Sequence, residues 1–353
     1  MRMADRRAAT FARPALRRTT LRHVPSRCGA GLQACVFRVF MSSWLIPTLA
    51  MAQPARSATP PDGVSAKEVK FFSEAVQCYA KIFLPKGFTA ESKAAAVVLA
   101  PAPGDTEASI DIYAAQIAAR GLVTMAIDYR GWGKSGGFLY LAEPVRWDDR
   151  LRFSQHTARV RIRRGRAIPD AQILDIRNAI SYLQGEPGVD RARIGLWAPD
   201  LAGGHVVVAA AVDVRVKAAV AQTPIIDGKD LPRKATRPTA AQQAALVRLA
   251  RTGQAPATAP AAAAMNDEET KLALAEYHPF WYVDQIPSTT AVLFVVAEKD
   301  TKVNNASHAV AASRLLKGPN GVTTIPGAAH GMSTSQSFDA AVEAAVAWFQ
   351  KYL

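Results

Sequence analysis

Three side chains in this sequence join a reactive type to a setting that would expose it. Asp200 lies in the stretch Arg193-Ile-Gly-Leu-Trp-Ala-Pro-Asp-Leu-Ala-Gly-Gly-His205. There a short apolar run is followed by small residues and then by a second apolar run of helical length, which reads as buried strand, sharp turn and helix. A carboxylate on such a turn is ionised at neutral pH and can attack an sp3 carbon directly. Asp300 follows the apolar run Ala291–Ala297. That position suits an acid that fixes a histidine tautomer, and it also suits the cap of a following helix. His330 stands in Gly327-Ala-Ala-His-Gly331, where small neighbours leave an imidazole accessible for general-base work.

Metal chemistry finds no support in the spacing. His156, His205, His278 and His308 form no metal-ligand spacing with a cysteine or with one another, so neither a metal nor a cofactor is expected. No serine or cysteine occurs between Ser181 and Ser288, so a shift of one position does not put a hydroxyl or thiol where Asp200 stands.

The elements that must hold these residues alternate. Two strand-like runs, 69–72 and 79–84, read as an antiparallel edge. Then follow a strand at 94–100, a helix near 108–119, a strand at 122–127, and the glycine-rich turn Tyr129-Arg-Gly-Trp-Gly-Lys-Ser-Gly-Gly137. A helix over 168–183, the strand and helix around Asp200, and strands at 216–222 and 291–297 come next. A helix near 307–316, a short strand at 321–325 and an amphipathic helix over 338–349 complete the order. Strands and helices alternating at these lengths predict a mainly parallel α/β sheet, doubly wound and covered on both faces. Residues 226–287 interrupt the pattern with a polar start, the Ala/Pro tract 255–264, and the aromatic end Tyr277-His-Pro-Phe-Trp-Tyr282. An insertion there would lie over the C-terminal edge of the sheet, where open α/β folds bind ligands, and it is read as a helical cap.

Composition is that of a globular protein, 49% apolar and 20% charged in 353 residues. The net charge of +14 is localised: residues 1–40 hold nine arginines and one acid, and residues 146–166 hold eight arginines against Asp148 and Asp149. No nucleic-acid-binding motif accompanies that charge, so nucleic acid is not an expected partner; the second cluster reads as a solvated basic arm. Arg38, the apolar segment 39–49 and Ala50-Met-Ala52 read as a signal peptide cleaved after Ala52. The apolar segment is too short to span a bilayer. The expected organisation is a leader at 1–52, a linker at 53–65, a core at 66–225 and 288–353, and the cap at 226–287, in a protein exported to the periplasm or secreted. Cys78 alone remains after the leader, so no disulfide within the mature chain is expected.

With these residues in place the chain resembles the α/β-hydrolase superfamily, and within it dienelactone hydrolases, acetyl-xylan esterases and the catalytic domains of prolyl-oligopeptidase-like peptidases. The resemblance rests on residues 194–205, Asp128-Tyr-Arg-Gly-Trp-Gly-Lys-Ser-Gly136, Val295-Val-Ala-Glu-Lys-Asp300 and Pro326-Gly-Ala-Ala-His-Gly331. It implies an α/β-hydrolase fold with the strand–turn–helix as its nucleophile elbow, and by chain order it groups Asp200, Asp300 and His330 as nucleophile, acid and base. The chain departs from the pattern twice. The elbow reads Ala198-Pro-Asp-Leu-Ala202 in place of Gly-x-Ser-x-Gly, and the oxyanion loop reads Pro101-Ala102-Pro103-Gly104 in place of His-Gly-x-Gly. Pro103 falls where a backbone N–H would be given and has none, leaving the N–H of Leu201 as the donor.

Two readings follow. In one, Asp200 attacks a small epoxide, haloalkane or ester, and His330, oriented by Asp300, activates the water that releases the product, as in the superfamily's aspartate-nucleophile branches. Tyr277, Trp281, Tyr282 and Trp132 are the candidates for the substrate pocket. In the other, hydrolysis has been lost and the pocket binds a ligand or partner, with Asp200 paired to protonated His330. Ester hydrolysis with Asp200 as general base is a third, less supported route. Under each, two acids around one imidazole raise its pKa.

Overall fold

The computed structural model describes residues 60–353, except 147, 149, 227–239, 241–243, 245–246, 249–250 and 252–267. The leader, the linker to residue 59 and most of the expected cap therefore lie outside the described residues. Strands β1 (Ser65–Ser73) and β2 (Val76–Leu84) form an antiparallel hairpin at the sheet edge. Then come β3 (Ala94–Leu99), α1 (Glu107–Ala118), β4 (Val123–Ile127), β5 (Phe138–Leu141), β6 (Val160–Arg163) and α2 (Pro169–Gln184). After them follow β7 (Val189–Pro199), α3 (Asp200–Val212), β8 (Val216–Gln222), α4 (Glu268–Ala275), β9 (Ala291–Ala297), β10 (Asn320–Ile325) and α5 (Ser335–Tyr352).

The main sheet runs β1-β2-β4-β3-β7-β8-β9-β10. Its first two pairings are antiparallel and the other five parallel. Burial on both faces explains why β9 is apolar throughout and β4 apolar but for Thr124, whose hydroxyl donates to the Ala114 carbonyl at 2.9 Å, with every residue of both strands buried. On one face Ile173, Ile176 and Ile180 of α2 and Val206 and Val207 of α3 close the core. On the other face Ile110 and Ile117 of α1 join Val342, Val346 and Phe349 of α5. This is the α/β-hydrolase fold. Parallel strands bring the exits of β3, β7, β9 and β10 to one edge, and those exits carry the Pro101 loop, Asp200, Asp300 and His330.

Local structure departs from the expectation at 307–316 and adds a ribbon after the glycine-rich turn. The region near 307–316 is a π-turn, Ala306–Val310, running into the short helix Ala311–Ser313. His308 is buried there, and its Nδ1 accepts the Ile226 N–H at 3.0 Å, so it serves the interior and not a surface helix. The glycine-rich turn leads into a two-stranded β5–β6 ribbon. Its two four-residue strands are separated by eighteen residues, without the short turn that announces a hairpin. Among the described residues no helix is long and apolar enough to cross a membrane.

Candidate functional site

The site is built on the turn from β7 to α3. Asp200 has φ +54°, a left-handed conformation that costs a non-glycine residue about 1 kcal/mol. Surrounding contacts hold it there. The Asp200 carbonyl accepts the Ile225 N–H at 3.1 Å, and α3 lies so close to the β8 exit that a Cβ at Gly204 would meet the Ile225 carbonyl oxygen at 2.7 Å. The close approach that the elbow pattern places on its own glycines falls here on Gly203 and Gly204, with Ala198 and Ala202 fully buried.

Beside this turn the two acids flank one imidazole. His330 Nδ1 lies 2.8 Å from Asp300 Oδ2, and His330 Nε2 lies 3.4 Å from Asp200 Oδ2, an ion-pair separation rather than a close hydrogen bond. The Asp300 side chain is fully buried, and its Oδ1 accepts the N–H groups of Lys302 and Val303 at 2.9 Å. One acid thus faces the histidine with one oxygen and caps its own loop with the other. The first contact places the neutral imidazole's proton on Nδ1 and its lone pair on Nε2, toward Asp200. Burial opposes charging of His330, but the bonds and charges of Asp200 and Asp300 outweigh it and raise the pKa above the usual histidine value.

The oxyanion side holds an arrangement that the sequence does not disclose. The Leu201 N–H donates to Oδ1 of Asp200 at 2.6 Å. The carboxylate therefore spans the site, one oxygen on the backbone donor and the other toward His330. Across from it, the loop from Pro101 to Thr106 carries Pro103, half-buried Ala102, and Asp105, whose N–H donates to the Ala102 carbonyl at 2.9 Å. Partial desolvation, followed by the negative charge of Asp200, raises the Asp105 carboxyl. Asp105 is a site acid the sequence analysis missed; its only signal was an acid in the oxyanion loop. The Asp128 turn props this loop from behind. Its carboxylate accepts the N–H groups of Glu107 and Lys134 at 2.7 Å, and a Cβ at Gly133 would sit 2.0 Å from Asp128 Oδ2.

The aromatic candidates are spread out. The Tyr277 hydroxyl donates to His205 Nδ1 at 2.6 Å inside the core, and His205 Nε2 faces Gln172 Oε1 at 3.1 Å. Burial drives the His205 pKa down to about 3, so this imidazole is a neutral link between α2, α3 and the end of the insertion. Trp132 donates its indole N–H to the Arg166 carbonyl at 2.8 Å. Tyr282 is half-buried against the core, whereas Trp281 is 65% exposed with its ring on His278. Arg163 and Arg166 both reach buried Glu269 of α4, at 2.6 and 2.5 Å. These two arginines correct the reading of the basic segment as a wholly solvated arm.

Other features stand apart from this chemistry. A cleft of about 380 Å3, bordered by Lys86, Lys93, Arg120 and Arg193, opens where β3 and β4 begin, at the opposite end of the strands from Asp200. Buried Cys78 has its thiol pushed up to about 12 by burial and then by the charge of Asp175, which removes it as a nucleophile. Among the described residues no group of three or more histidine, cysteine or acidic side chains is placed to hold a metal ion.

No protein-family model matches the chain. An uncharacterised 31.7 kDa protein of the traX–finO intergenic region of Escherichia coli is 36% identical over 108 residues, 31% of this chain and 29% of that protein. The match thus spans under a third of the relative's length. The crystal structure of hypothetical protein PA2218 from Pseudomonas aeruginosa superimposes with a TM-score of 0.65 at 20% identity, covering 86% of this chain and 98% of the other. The α/β-hydrolase GrgF from a Penicillium species gives 0.59 at 18% identity, covering 82% and 99%. At these identities the likeness establishes the fold.

Proposed function

We propose that the protein is a hydrolase of small organic substrates in which Asp200 is the covalent nucleophile, His330 the general base and Asp300 its orienter. The observation that carries the reading is the span of the Asp200 carboxylate from the Leu201 N–H to His330 Nε2. In the first half-reaction one Asp200 oxygen attacks an electrophilic carbon of an epoxide or haloalkane. The carbon–oxygen or carbon–halogen bond breaks, the leaving group takes the electron pair, and an ester on Asp200 results. In the second, Nε2 of neutral His330 takes a proton from water, and the hydroxide adds to the Asp200 carbonyl carbon. Negative charge then develops on an oxygen that already faces the Leu201 N–H. Collapse breaks the ester bond and His330 returns its proton to the departing alkoxide. The new Asp200 carboxyl then releases the proton left from water, which balances the one taken up by an opened epoxide's alkoxide or leaves with the halide as acid, and the carboxylate is restored. An ester substrate would enter by the same attack at its alkyl carbon.

The missing donor at Pro103 supports this assignment. A serine enzyme needs paired donors on its substrate's oxygen, whereas here the oxyanion forms on the enzyme's own side chain, beside Leu201. In this reading residues 66–225 and 288–353 form the catalytic core, 226–287 cap it, and the leader at 1–52 directs export. The raised His330 between two carboxylates favours a second reading, in which the site rests as a closed ion pair and binds an anionic or polar ligand without turnover.

Intact-mass spectrometry after incubation with epoxides, haloalkanes and esters separates the two. The first reading requires an added mass on Asp200 that accumulates in His330→Gln, because capture still occurs while release is blocked. Absence of both adduct and turnover across all three classes refutes it in favour of binding.

A further inference from the structure

The β5–β6 ribbon and its connecting loop present a surface that the site does not use. Cross-strand pairing sets Leu139 opposite Ile162 and Leu141 opposite Val160, so these four aliphatic side chains share one face of the ribbon. All four are exposed, Ile162 to 62%. The other face is anchored. Phe138 lies under the Arg166 guanidinium at 4.8 Å, Tyr140 receives a hydrogen bond from Arg166, and Arg163 is bound to Glu269. The apolar face is therefore a fixed platform turned outward. In the loop every residue from 150 to 157 is exposed, and the run Arg150-Leu-Arg-Phe153 interleaves cations with large apolar groups, Phe153 being 88% exposed.

Charge identifies the occupant. Glu143 and Asp148, acids of this segment, are already paired with Arg159 and Arg150. Arg146 and Arg152 of the loop are exposed and make no ion pair among the described residues, while Arg161, opposite Tyr140, stands on the ribbon's other face. An aliphatic face edged by uncompensated guanidinium groups matches the boundary between acyl chains and anionic headgroups. A second copy of the chain fits poorly, since two-fold pairing of these faces would bring the loop guanidinium groups of both copies together.

We propose that the β5–β6 ribbon, with Arg146 and the exposed loop residues 150–157, forms a peripheral docking surface for bilayers containing anionic lipid. Leu139, Leu141, Val160, Ile162 and Phe153 enter the interface while Arg146 and Arg152 engage phosphate groups. The protein lies on the membrane and does not span it.

Flotation of the full chain with vesicles of phosphatidylcholine alone, or with added phosphatidylglycerol, tests this. The basic stretch at 1–40 is common to every variant, so the comparison is among variants. Each basic residue near an anionic surface is worth about fivefold in partitioning, so Arg146→Gln/Arg152→Gln should weaken binding to anionic vesicles by about twenty-fivefold and leave neutral vesicles unaffected. Leu139→Ser/Ile162→Ser should weaken binding to both. Phe153→Trp, at a site where the added ring meets only solvent, should blue-shift on anionic vesicles relative to wild type, a readout that disturbs no packing. Equal flotation of wild type and both multiple variants overturns the proposal. So does a Phe153→Trp signal unchanged by vesicles. Strong binding to soluble polyglutamate without any blue shift would assign the surface to an acidic protein instead. Cross-links from this face to residues 227–267 or to a second copy, retained with vesicles present, would also overturn it.

Discussion

Replacing Asp200 with Asn removes one charge from beside His330 while keeping the side chain's shape, and the effect on the imidazole follows from the geometry. At the observed 3.4 Å, a pair of unit charges interacts by about 1.2 kcal/mol in a water-like dielectric and about 5 kcal/mol at an effective dielectric of 20. The Asp200 side chain is 34% exposed, which places the interaction in the lower half of that range. That energy, about 1–2.5 kcal/mol, is the stabilisation of the imidazolium that the substitution removes. The sign is fixed: losing an anion destabilises the imidazolium, so the pKa must drop. A second consequence accompanies it. A histidine raised on folding contributes stability that is fully present below its unfolded value of 6.5 and is lost as pH rises through the folded value. Asp200→Asn should therefore lower stability near pH 6 more than at pH 9. Histidine-selective NMR titration of wild type and variant, assigned with His330→Gln, measures the pKa directly. An unchanged or increased His330 pKa in Asp200→Asn would refute the idea that this carboxylate is electrostatically joined to the imidazole.

Three further outcomes are expected. Glu107 is buried, and desolvation, then Asp111 and Asp128, push its carboxyl from 4.5 to about 7, so the native state holds this proton more tightly than the unfolded chain and stability falls as pH rises between those values. Denaturant unfolding should show Glu107→Gln gaining up to about 3 kcal/mol over wild type between pH 4.5 and pH 8. Asp200→Ser should leave the protein folded but produce at most weak ester hydrolysis, about 10²–10³ below a site with both oxyanion donors, because Pro103 offers no N–H; vigorous p-nitrophenyl ester turnover would show that Asp200 alone had silenced a serine site. Glu269→Ala removes the buried carboxylate that Arg163 and Arg166 share and should cost about 3–5 kcal/mol in chemical denaturation, with Glu269→Gln recovering part of it.

Periodicity and small-residue turns made most of the sheet legible, since an all-buried strand such as β9 must be apolar at every position whatever its neighbours. Asp200 and Asp300 stood out for the same reason, each following a strand that burial made obvious, whereas His330, five residues past the largely uncovered β10, stood out by the small residues around it. The ribbon was hidden because its pairing spans eighteen residues, and no local pattern encodes contact over that distance. The destiny of the arginines was hidden likewise. Arg163 and Arg166 are drawn inward by Glu269, a partner more than a hundred residues away, while Arg152 and Arg161 stay exposed. Asp105 was overlooked because an acid in a Pro/Gly loop reads as a turn residue until Asp200 is set across from it.

The elbow substitution and the proline in the oxyanion loop could be two independent losses, but the hydrogen bond from Leu201 links them. When the nucleophile is a serine, the oxygen that gains charge belongs to the substrate and must be met from both sides of the pocket. When the nucleophile is a carboxylate, the oxygen that gains charge in the second half-reaction is part of residue 200 itself and is held against the N–H of residue 201 by chain connectivity. The donor from the Pro101–Thr106 loop then no longer serves that oxygen, and a residue without an N–H can occupy its place. A decayed serine site predicts no such coordination, for the aspartate would be free to take any rotamer. The observed one, with Oδ1 on the Leu201 N–H and Oδ2 facing a histidine already oriented by a buried acid, is the rotamer that ester release from Asp200 requires.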